Sequence, residues 1–153
     1  MNIRFARTTP DEADVLSALA IESKGYWGYP RAQLEIWRKH LRITPDYILS
    51  NTVVTIWMET ERVGFFAIQK GSESILDHLW LLPRAIGQGV GAAAFREIER
   101  ECEALNIHEF VIISDPNAEG FYLRQGAVRI GEVKSVPQNR LLPKLRYHIR
   151  IAL

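Results

Sequence analysis

The amino-acid sequence predicts an α/β protein with a mixed sheet, in the order β-α-α-β-β-β-α-β-α-β-β. Short runs rich in β-branched and aromatic residues indicate the strands, and longer runs with apolar residues three or four positions apart indicate the helices. A third observation is that no repeat and no Gly-, Ser- or Pro-rich linker divides the 153 residues. This is a common length for one domain, so we expect a single domain over residues 1–153.

The first half of the chain predicts a strand, two helices and a hairpin. The N-terminal residues alternate polar and apolar side chains, as a half-buried strand does. Thr9, Pro10 and Glu12 mark the start of the first helix, because they supply an N-cap, a proline suited to the first helical position and the acid of a capping box. The Lys24-Gly25 pair marks its end. The expected elements are a strand at residues 2–7, helices at 10–23 and 31–41, and strands at 53–58 and 63–68.

The second half predicts four strands and two helices. Pro83 ends a β-rich run, and a long stretch with helical spacing follows it. A short, continuously apolar run that ends at Ser114 is typical of a strand buried on both faces. Gly126 provides the C-cap of a short last helix. The expected elements are strands at residues 75–82, 110–114, 128–133 and 144–151, and helices at 89–105 and 118–125.

Composition and charge exclude several classes of protein. With 19 Lys and Arg against 18 Asp and Glu, the net charge of +1 provides neither a nucleic-acid-binding surface nor a polybasic membrane patch. No apolar stretch approaches the roughly 20 residues of a membrane span. The one cysteine, Cys102, cannot form an internal disulfide, and the first residues lack the apolar segment of a signal peptide. We therefore expect a cytoplasmic protein that binds neither nucleic acid nor membrane.

The most informative stretch is a glycine loop between the fourth predicted strand and the helix after it. Gly87, Gly89 and Gly91 occupy alternate positions there. Glycines let the backbone approach a phosphate closely, and the free N–H groups of a helix's first turn point at the anion. The loop therefore predicts a pyrophosphate site made mainly of backbone. The alternative is a tight strand-to-helix turn packed closely on the sheet, and the loop alone does not distinguish the two.

A dinucleotide-binding fold is a rival explanation of this loop. Gly87 to Ala92 fits the pattern G-x-G-x-x-A, and Asp115 follows the next strand, where such a fold keeps the acid that binds ribose. However, four residues separate the predicted strand from Gly87, whereas that fold runs almost directly into its first glycine. Too little chain follows Asp115 for the further βα units that the fold needs. The topology therefore excludes this explanation.

With its loop and its element order together, the chain resembles the GNAT superfamily of N-acetyltransferases. The family's motif V-x-P, followed by Q/R-x-x-G-x-G/A, is matched by Leu81-Leu82-Pro83 and by residues 86–91. Its later motif, N-x-x-A-x-x-F-Y-x-x-x-G-F, is matched by residues 115–127. The resemblance spans nearly the whole chain. It implies a mostly antiparallel mixed sheet flanked by about four helices.

The resemblance also implies acetyl-CoA as the co-substrate. In such folds pantetheine pairs with the strand before the glycine loop, and the pyrophosphate binds the backbone amides of the loop. Ile86 stands where the family has Arg or Gln. Asp115 stands where it has Asn, so Asn117 is a candidate for the amide hydrogen bond that an aspartate cannot donate. The implied cofactor-binding residues are Leu79, Trp80, Leu81, Ile86, Gly87, Gln88, Gly89, Val90, Gly91, Ala92, Asp115 and Asn117.

Acetyl transfer to an amine requires a proton to leave the ammonium and benefits from an acid beside the leaving thiolate. The resemblance implies Tyr122 as that acid, from its position in the later motif; the alternative is a packed tyrosine with its hydroxyl in water. His78 is a candidate base because histidine titrates near neutral pH. Glu22 is a second candidate, because it ends a helix that such folds place at the acceptor site. Proton loss through water, with no single base, is also open.

Three aromatic residues between the first two helices, Tyr26, Trp27 and Tyr29, are the candidate acceptor-binding groups. Aromatic faces suit cationic amines through cation–π attraction, or apolar groups through packing. A loop that caps its own hydrophobic core has the same sequence pattern. The histidines have no metal-ligand spacing between them, so we expect no metal.

We therefore expect an N-acetyltransferase that moves an acetyl group from acetyl-CoA to a primary amine, of a small molecule or a peptide, by direct transfer in a ternary complex. A non-catalytic acyl-CoA-binding module is the first alternative, because Ile86 and Asp115 depart from the family motifs and no base is obvious. An acetyltransferase of protein N-termini or lysines is the second. Superfamily members often pair through C-terminal strands, so residues 144–153 are a candidate homodimer interface.

Overall fold

The computed structural model describes residues 2–135 and 140–150, which form seven strands and five α-helices. The strands are β1 (Ile3–Arg7), β2 (Thr52–Met58), β3 (Glu61–Gln69), β4 (Ile75–Leu81), β5 (Glu109–Ile113), β6 (Val128–Lys134) and β7 (Leu141–His148). The helices are α1 (Ala13–Gly25), α2 (Arg31–His40), α3 (Pro45–Ser50), α4 (Val90–Ala104) and α5 (Glu119–Arg124). None of these helices has the length and hydropathy that crossing a membrane requires.

The seven strands form one sheet in the order β1-β2-β3-β4-β5-β7-β6. The β4–β5 pair is parallel, with Ile75 opposite Val111. The β1–β2, β2–β3, β5–β7 and β6–β7 pairs are antiparallel. The expected α/β class with a mixed, mostly antiparallel sheet is confirmed.

Helix α3 is absent from the predicted order. Thr44 is its N-cap, because the Thr44 side chain accepts a hydrogen bond from the Tyr47 backbone N–H at 3.1 Å. Pro45 occupies the first helical position. The Thr44-Pro45 pair is the same signal as Thr9-Pro10, but the six residues of α3 are too few to show a helical repeat.

The start of the first helix differs in detail from the prediction. Residues Pro10–Glu12 form a 3-10 turn, and α1 begins only after them. The Thr9 backbone N–H donates to Glu12 Oε1 at 3.0 Å, as a capping box requires. Glu12 Oε2 also accepts a hydrogen bond from Arg62 Nε at 3.1 Å. The acid thus ties the start of the helix to β3.

The closing strand lies inside the sheet. β7 pairs with β5 along one side and with β6 along the other. Residues 144–146 are therefore paired on both sides within the chain, so this part of the expected interface is not free to pair with a second copy. Of the rest of that expected interface, residues 151–153 lie outside the described residues. The edge strand next to β7 is β6, and β1 forms the other edge of the sheet.

The chain divides into two compact units. The first comprises Met1–Ile68 and His78–Ala94, and the second comprises Gln69–Asp77 and Phe95–Leu153. In the first unit the core gathers apolar side chains of α1, α3, β2 and β3, together with Leu82. In the second unit the Phe95 ring lies 4.8 Å from the Tyr147 ring and 6.0 Å from the Phe110 ring, centroid to centroid. The single domain over residues 1–153 stays a prediction.

Candidate active site

Strand β4 approaches β3 very closely at one glycine. The Leu82 backbone N–H donates to the Val63 carbonyl at 2.7 Å. A Cβ built on Gly64 would overlap the Trp80 carbonyl oxygen and lie 2.8 Å from Leu81 Cδ2. Only glycine fits such an approach between two backbones. Gly64 thus allows the close approach of the β4 backbone to which the resemblance assigns pantetheine. The sequence contains no signal for this requirement, because the obstructing carbonyl is remote along the chain.

The glycine loop owes two of its glycines to backbone conformation. Gly87 and Gly89 have φ of +81° and +79°, in the left-handed region that other residues enter only with strain. Among the described residues, a Cβ added at either position would meet no atom within 4 Å. This is not the geometry of a turn packed closely on the sheet, which was the alternative interpretation of the loop.

The loop presents backbone donors beside open space. Residues 86–89 are exposed, and Gly91 and Ala92 are partly exposed. The Ala93 N–H donates to the Gly89 carbonyl at 3.1 Å, so the amides of residues 90–92 precede the first bond of this kind in α4. With the helix dipole behind them, such amides favour an anion. The geometry therefore fits a pyrophosphate group held by backbone.

The side chains of the loop contribute to the loop itself. The Gln88 Nε2 group donates to the Arg84 carbonyl at 2.6 Å. The Arg84 guanidinium pairs with Glu61 Oε2, also at 2.6 Å. Ile86 exposes 37% of its surface and carries no polar group. An anion in front of the loop would thus meet backbone N–H groups rather than these side chains.

His78 and Trp80 are joined by a hydrogen bond that decides which imidazole nitrogen carries the proton. They lie two residues apart on β4, so their side chains share one face. The Trp80 Nε1–H donates to His78 Nδ1 at 2.9 Å. Because an indole N–H can only donate, Nδ1 accepts, and the neutral imidazole carries its proton on Nε2. In this arrangement Nε2 is a hydrogen-bond donor, and proton uptake at Nδ1 would break the bond to Trp80.

Glu22, the second candidate base, lies on the exposed side of α1. Two residues along a helix correspond to about 200° of rotation, so Glu22 and Lys24 point to opposite sides. Lys24 lies on the buried side. The Glu22 carboxylate therefore points away from the core of the first unit.

The aromatic residues predicted for the acceptor site separate into two groups. Tyr26 and Trp27 are exposed and pack edge to face, with ring centroids 4.8 Å apart. Tyr29 packs edge to face on Trp37 of α2 instead, at 4.7 Å, and Trp37 is buried. Tyr29 thus follows the alternative in which the loop covers the core, while Tyr26 and Trp27 remain open to a ligand.

A lysine that the sequence analysis did not single out lies among these rings. Lys24 is only 7% exposed, and its Nζ lies 4.4 Å from the Trp37 centroid, 5.2 Å from Tyr29 and 5.8 Å from Trp80. These distances are those of cation–π contacts. The available signal was its position on the core-facing stripe of α1, two turns after the buried Leu16. The cation beside these rings thus belongs to the protein itself.

In the second unit, the candidate acid Tyr122 is buried on α5, 7% exposed. Its ring centroid lies 5.3 Å from that of Phe121 and 6.4 Å from that of Phe95. Burial, with a smaller effect of the Asp115 charge, raises the pKa of Tyr122 well above its ordinary value. Its hydroxyl therefore stays protonated at working pH and can donate a hydrogen bond.

Asp115 and Asn117, which stand in the first part of the later motif, bind each other. Asp115 Oδ1 accepts hydrogen bonds from the Asn117 backbone N–H at 2.8 Å and from Asn117 Nδ2 at 3.0 Å. This turn precedes α5 and is typical of aspartate in loops. The carboxylate thus has a local structural role.

Over residues 2–135 and 140–150, no three His, Cys, Asp or Glu side chains are grouped so that they could hold a metal.

Comparison with known proteins gives one family and many similar folds. The model of the acetyltransferase (GNAT) domain matches residues 29–143. A search of curated proteins gives no significant match. A GCN5-related N-acetyltransferase from Rhodopseudomonas palustris is 18% identical, with a TM-score of 0.78 over 97% of this chain and 96% of that one. PaiA N-acetyltransferase from Thermoplasma acidophilum, solved with coenzyme A, is 16% identical, with a TM-score of 0.75 over 96% and 100%. Ard1 from Thermoplasma volcanium is 16% identical, with a TM-score of 0.71 over 99% and 100%.

At these identities the solved structures establish the fold, and the family model carries the assignment further. The strand order agrees with the fold of these structures, and the matching family model gives the class of the protein as an acyltransferase. The matched residues make up more than half of the sequence, and the chain therefore belongs to the GNAT acetyltransferase family.

Proposed function

We propose that the protein is an N-acetyltransferase that moves the acetyl group of acetyl-CoA directly to a primary amine, of a small molecule or a peptide, in a ternary complex. The observation that carries the proposal is the exposed glycine loop. Gly87 and Gly89 adopt positive φ, and the space beside them is open in front of the first amides of α4. Membership of the GNAT family supports the same reaction.

The proposal assigns the cofactor mainly to backbone. The strand residues Leu79, Trp80 and Leu81 pair with pantetheine, and the N–H groups of residues 87–92 hold the pyrophosphate. Ile86 adds no polar contact there. Asp115 and Asn117, which hydrogen-bond each other, are candidates for one further contact.

In the reaction the acceptor nitrogen forms a bond to the thioester carbonyl carbon while the C–S bond breaks. The nitrogen loses one proton and the departing thiolate gains one. We assign the Tyr122 hydroxyl to the thiolate. Because its raised pKa makes it a weaker acid than a thiol of pKa about 8.5, Tyr122 stabilises the thiolate by a hydrogen bond, and water completes the proton transfer.

The ammonium proton has two candidate acceptors besides water. His78 would have to give up its bond to Trp80 to act as a base, and Glu22 is on the exposed side of α1. We therefore prefer proton loss through water. In this mechanism His78 is not the base, and its Nε2–H group acts as a hydrogen-bond donor. A pH profile of kcat/KM without a step near the ordinary histidine pKa of about 6.5 would agree with this.

The first experiment is a thermal-shift titration with acetyl-CoA and CoA, with NAD as the control. Ligand at about 100 times its Kd adds about 2.7 kcal/mol, and a chain of this size should gain roughly 5–10 °C. An amine screen that follows CoA thiol release comes next. Tyr122→Phe is expected to lower kcat about 10-fold or more while leaving CoA binding unchanged. The absence of any shift at millimolar acetyl-CoA would contradict the proposal.

The second candidate function is a non-catalytic acyl-CoA-binding module. The engaged His78 Nδ1 favours it, because His78 would have to give up its hydrogen bond from Trp80 to act as a base. Such a module would show the thermal shift with CoA but no thiol release above background with any amine. Tyr122→Phe would then change no measured property.

Two further proposals concern compartment and assembly. The free, buried thiol of Cys102 agrees with a cytoplasmic location.

We place a homodimer on the exposed edge strand β6, where a two-fold axis next to Ile130 would set Arg129 of one copy opposite Glu132 of the other. Light scattering after size exclusion measures the mass. Val133→Lys is expected to give a monomer, and a monomeric wild type at high concentration would contradict the dimer.

A further inference from the structure

A cavity of about 410 Å³ opens in the second unit, where β4 and β5 begin and β7 ends. The β3–β4 connection, residues 70–74, forms one wall of the cavity, and residues 106–108 between α4 and β5 form another. Strands β5 and β7 supply the rest. Ligand pockets commonly have volumes of about 300–1,000 Å³, so this cavity has room for a small molecule. The cofactor and acceptor sites proposed above include none of its residues.

The strand wall of the cavity is one face of the sheet. Glu109 lies opposite His148, and Val111 lies opposite Arg146. Residues two apart on a strand share a face, so these four side chains lie on the same side. The Val111 N–H donates to the Ser74 carbonyl at 2.9 Å, and Ser74 is buried. This bond joins the loop wall of the cavity to its strand wall.

The two acids that line the cavity have basic partners within the chain. Glu109 Oε2 lies 3.1 Å from His148 Nδ1 and 4.0 Å from Arg146 Nε. Glu73 Oε1 lies 3.5 Å from Lys144 Nζ. Each acid thus already has a basic side chain beside it. A cationic ligand would have to displace these partners, so the acids do not favour one.

The basic side chains of the cavity, in contrast, retain unused hydrogen-bond donors. Among residues 2–135 and 140–150, none pairs with the Lys70 ammonium. The 4.0 Å between Arg146 Nε and Glu109 Oε2 is too long for a hydrogen bond, and the Arg146 guanidinium forms none with the described residues. Ser72 and Asn106 add neutral donors on the two loop walls. The cavity therefore offers donors from several directions to an anion.

We propose that this cavity binds a phosphate group, either of inorganic phosphate or of a small phosphate monoester. Lys70 and Arg146 supply two positive charges, and a guanidinium presents two parallel N–H groups that match phosphate oxygens. The three terminal oxygens of a phosphate group can reach donors on separate walls, whereas a carboxylate has two. Ile107 and Val111, buried apolar residues of the lining, are suited to the organic part of an ester.

The test follows the backbone amide NMR signals of the isotope-labelled full chain during titration with sodium phosphate at constant pH and ionic strength. Saturable shifts are expected for residues 70–74 and 106–111, which line the cavity. Two charge-assisted hydrogen bonds correspond to a Kd on the order of 1 mM. Acetate at the same concentration should shift these signals less. The signals of residues 87–92 report separately on the glycine loop, so the result for the cavity does not depend on the proposed function.

Three variants assign the binding to the cavity. Lys70→Gln and Arg146→Gln each remove one positive charge, and each should raise the Kd about 10-fold. Glu109→Gln removes a negative charge from the lining and should lower the Kd, a direction that a loss of structure would not produce. Lys39→Gln is the matched control, because Lys39 is an exposed lysine of α2 that is not part of the lining. If Arg146→Gln does not fold, Lys70→Gln decides, because Lys70 is exposed.

Glycerol phosphate distinguishes the two sources of the phosphate group. Tighter binding of glycerol phosphate than of inorganic phosphate would support a monoester as the ligand, and weaker binding would support the free ion. The absence of saturable shifts at the cavity with both compounds would overturn the proposal. Equal shifts with acetate, or a Kd that is the same in the wild type, Lys70→Gln and Arg146→Gln, would overturn it as well.

Discussion

Replacing Gly64 by alanine tests how closely β3 and β4 approach each other. The added Cβ would overlap the Trp80 carbonyl oxygen and lie 2.8 Å from Leu81 Cδ2 and 3.3 Å from Ile56 Cδ1. The leucine tip can rotate away, but the carbonyl belongs to the backbone of β4 and moves only with the strand. Overpacking costs about 1–3 kcal/mol, and a backbone obstacle places this case near the upper value. For a chain of this size the melting temperature should fall by roughly 6–12 °C.

Gly131→Ala is the matched control for this change. Gly131 also lies in a strand, β6, and within the described part of the chain its added Cβ would meet nothing within 4 Å. Its φ is not positive, so alanine should alter stability by no more than about 0.5 kcal/mol, or raise it slightly. Urea unfolding followed by tryptophan fluorescence and circular dichroism measures both variants, and equal m values make them comparable.

Equal stability of the two variants would refute this reasoning, because β4 would then yield to the methyl group at no cost. A displaced β4 should also bind CoA more weakly, since Trp80 and Leu81 supply the backbone proposed for pantetheine. Isothermal titration at a temperature where Gly64→Ala is folded measures this. An unchanged Kd in a clearly destabilised variant would remove this part of β4 from the cofactor site.

The remaining predictions concern the loop, the thiol and the capping acid. Gly87→Ala and Gly89→Ala each force alanine into positive φ, so each should cost about 1 kcal/mol of stability and weaken CoA binding in a titration; unchanged affinity in both would remove the loop from the site. Burial, then the charges of nearby glutamates, raises the pKa of Cys102 to about 12, so at pH 8 a disulfide reagent should label it only on unfolding, and rapid labelling of the native protein would contradict this. Burial tends to raise the pKa of Glu12, but its hydrogen bonds to Thr9 and Arg62 leave the net pKa lowered. Its stabilising effect is therefore present above the ordinary glutamate pKa and disappears in acid, so the deficit of Glu12→Gln measured by urea unfolding at neutral pH should shrink as the pH falls; a pH-independent deficit would speak against it.

The order of the strands and helices could be predicted because its signals are local. Alternation, helical spacing and caps act within a few residues. Gly126, for example, has φ of +106° directly after the C-cap Gln125 of α5, which is where a glycine commonly ends a helix. The glycine loop is local in the same sense, because one strand, one turn and one helix start define it. The helix after Thr44 has a local signal as well, in its N-cap and proline. It is too short for the spacing of its apolar residues to support the prediction of a helix.

Part of the candidate site depended on contacts that no local pattern contains. The spacing of His78 and Trp80 places them on one face, but only the structure shows the bond that leaves the imidazole proton on Nε2. Lys24 appears in the sequence as the end of a helix, and only the structure shows the Trp37 and Trp80 rings against which its ammonium lies. The requirement for Gly64 comes from a carbonyl on another strand.

The difference between what the sequence predicts and what only the folded chain decides has one physical cause. Backbone preference, capping and hydrophobic periodicity are settled between residues a few positions apart, so the amino-acid order alone was enough to place the elements and the glycine loop. Other features depend on atoms that come within a few ångströms of each other only when the chain has folded. These features are the imidazole nitrogen that carries the proton, the cation that lies against the aromatic rings and the strand edge that stays unpaired. Those choices belong to the tertiary structure.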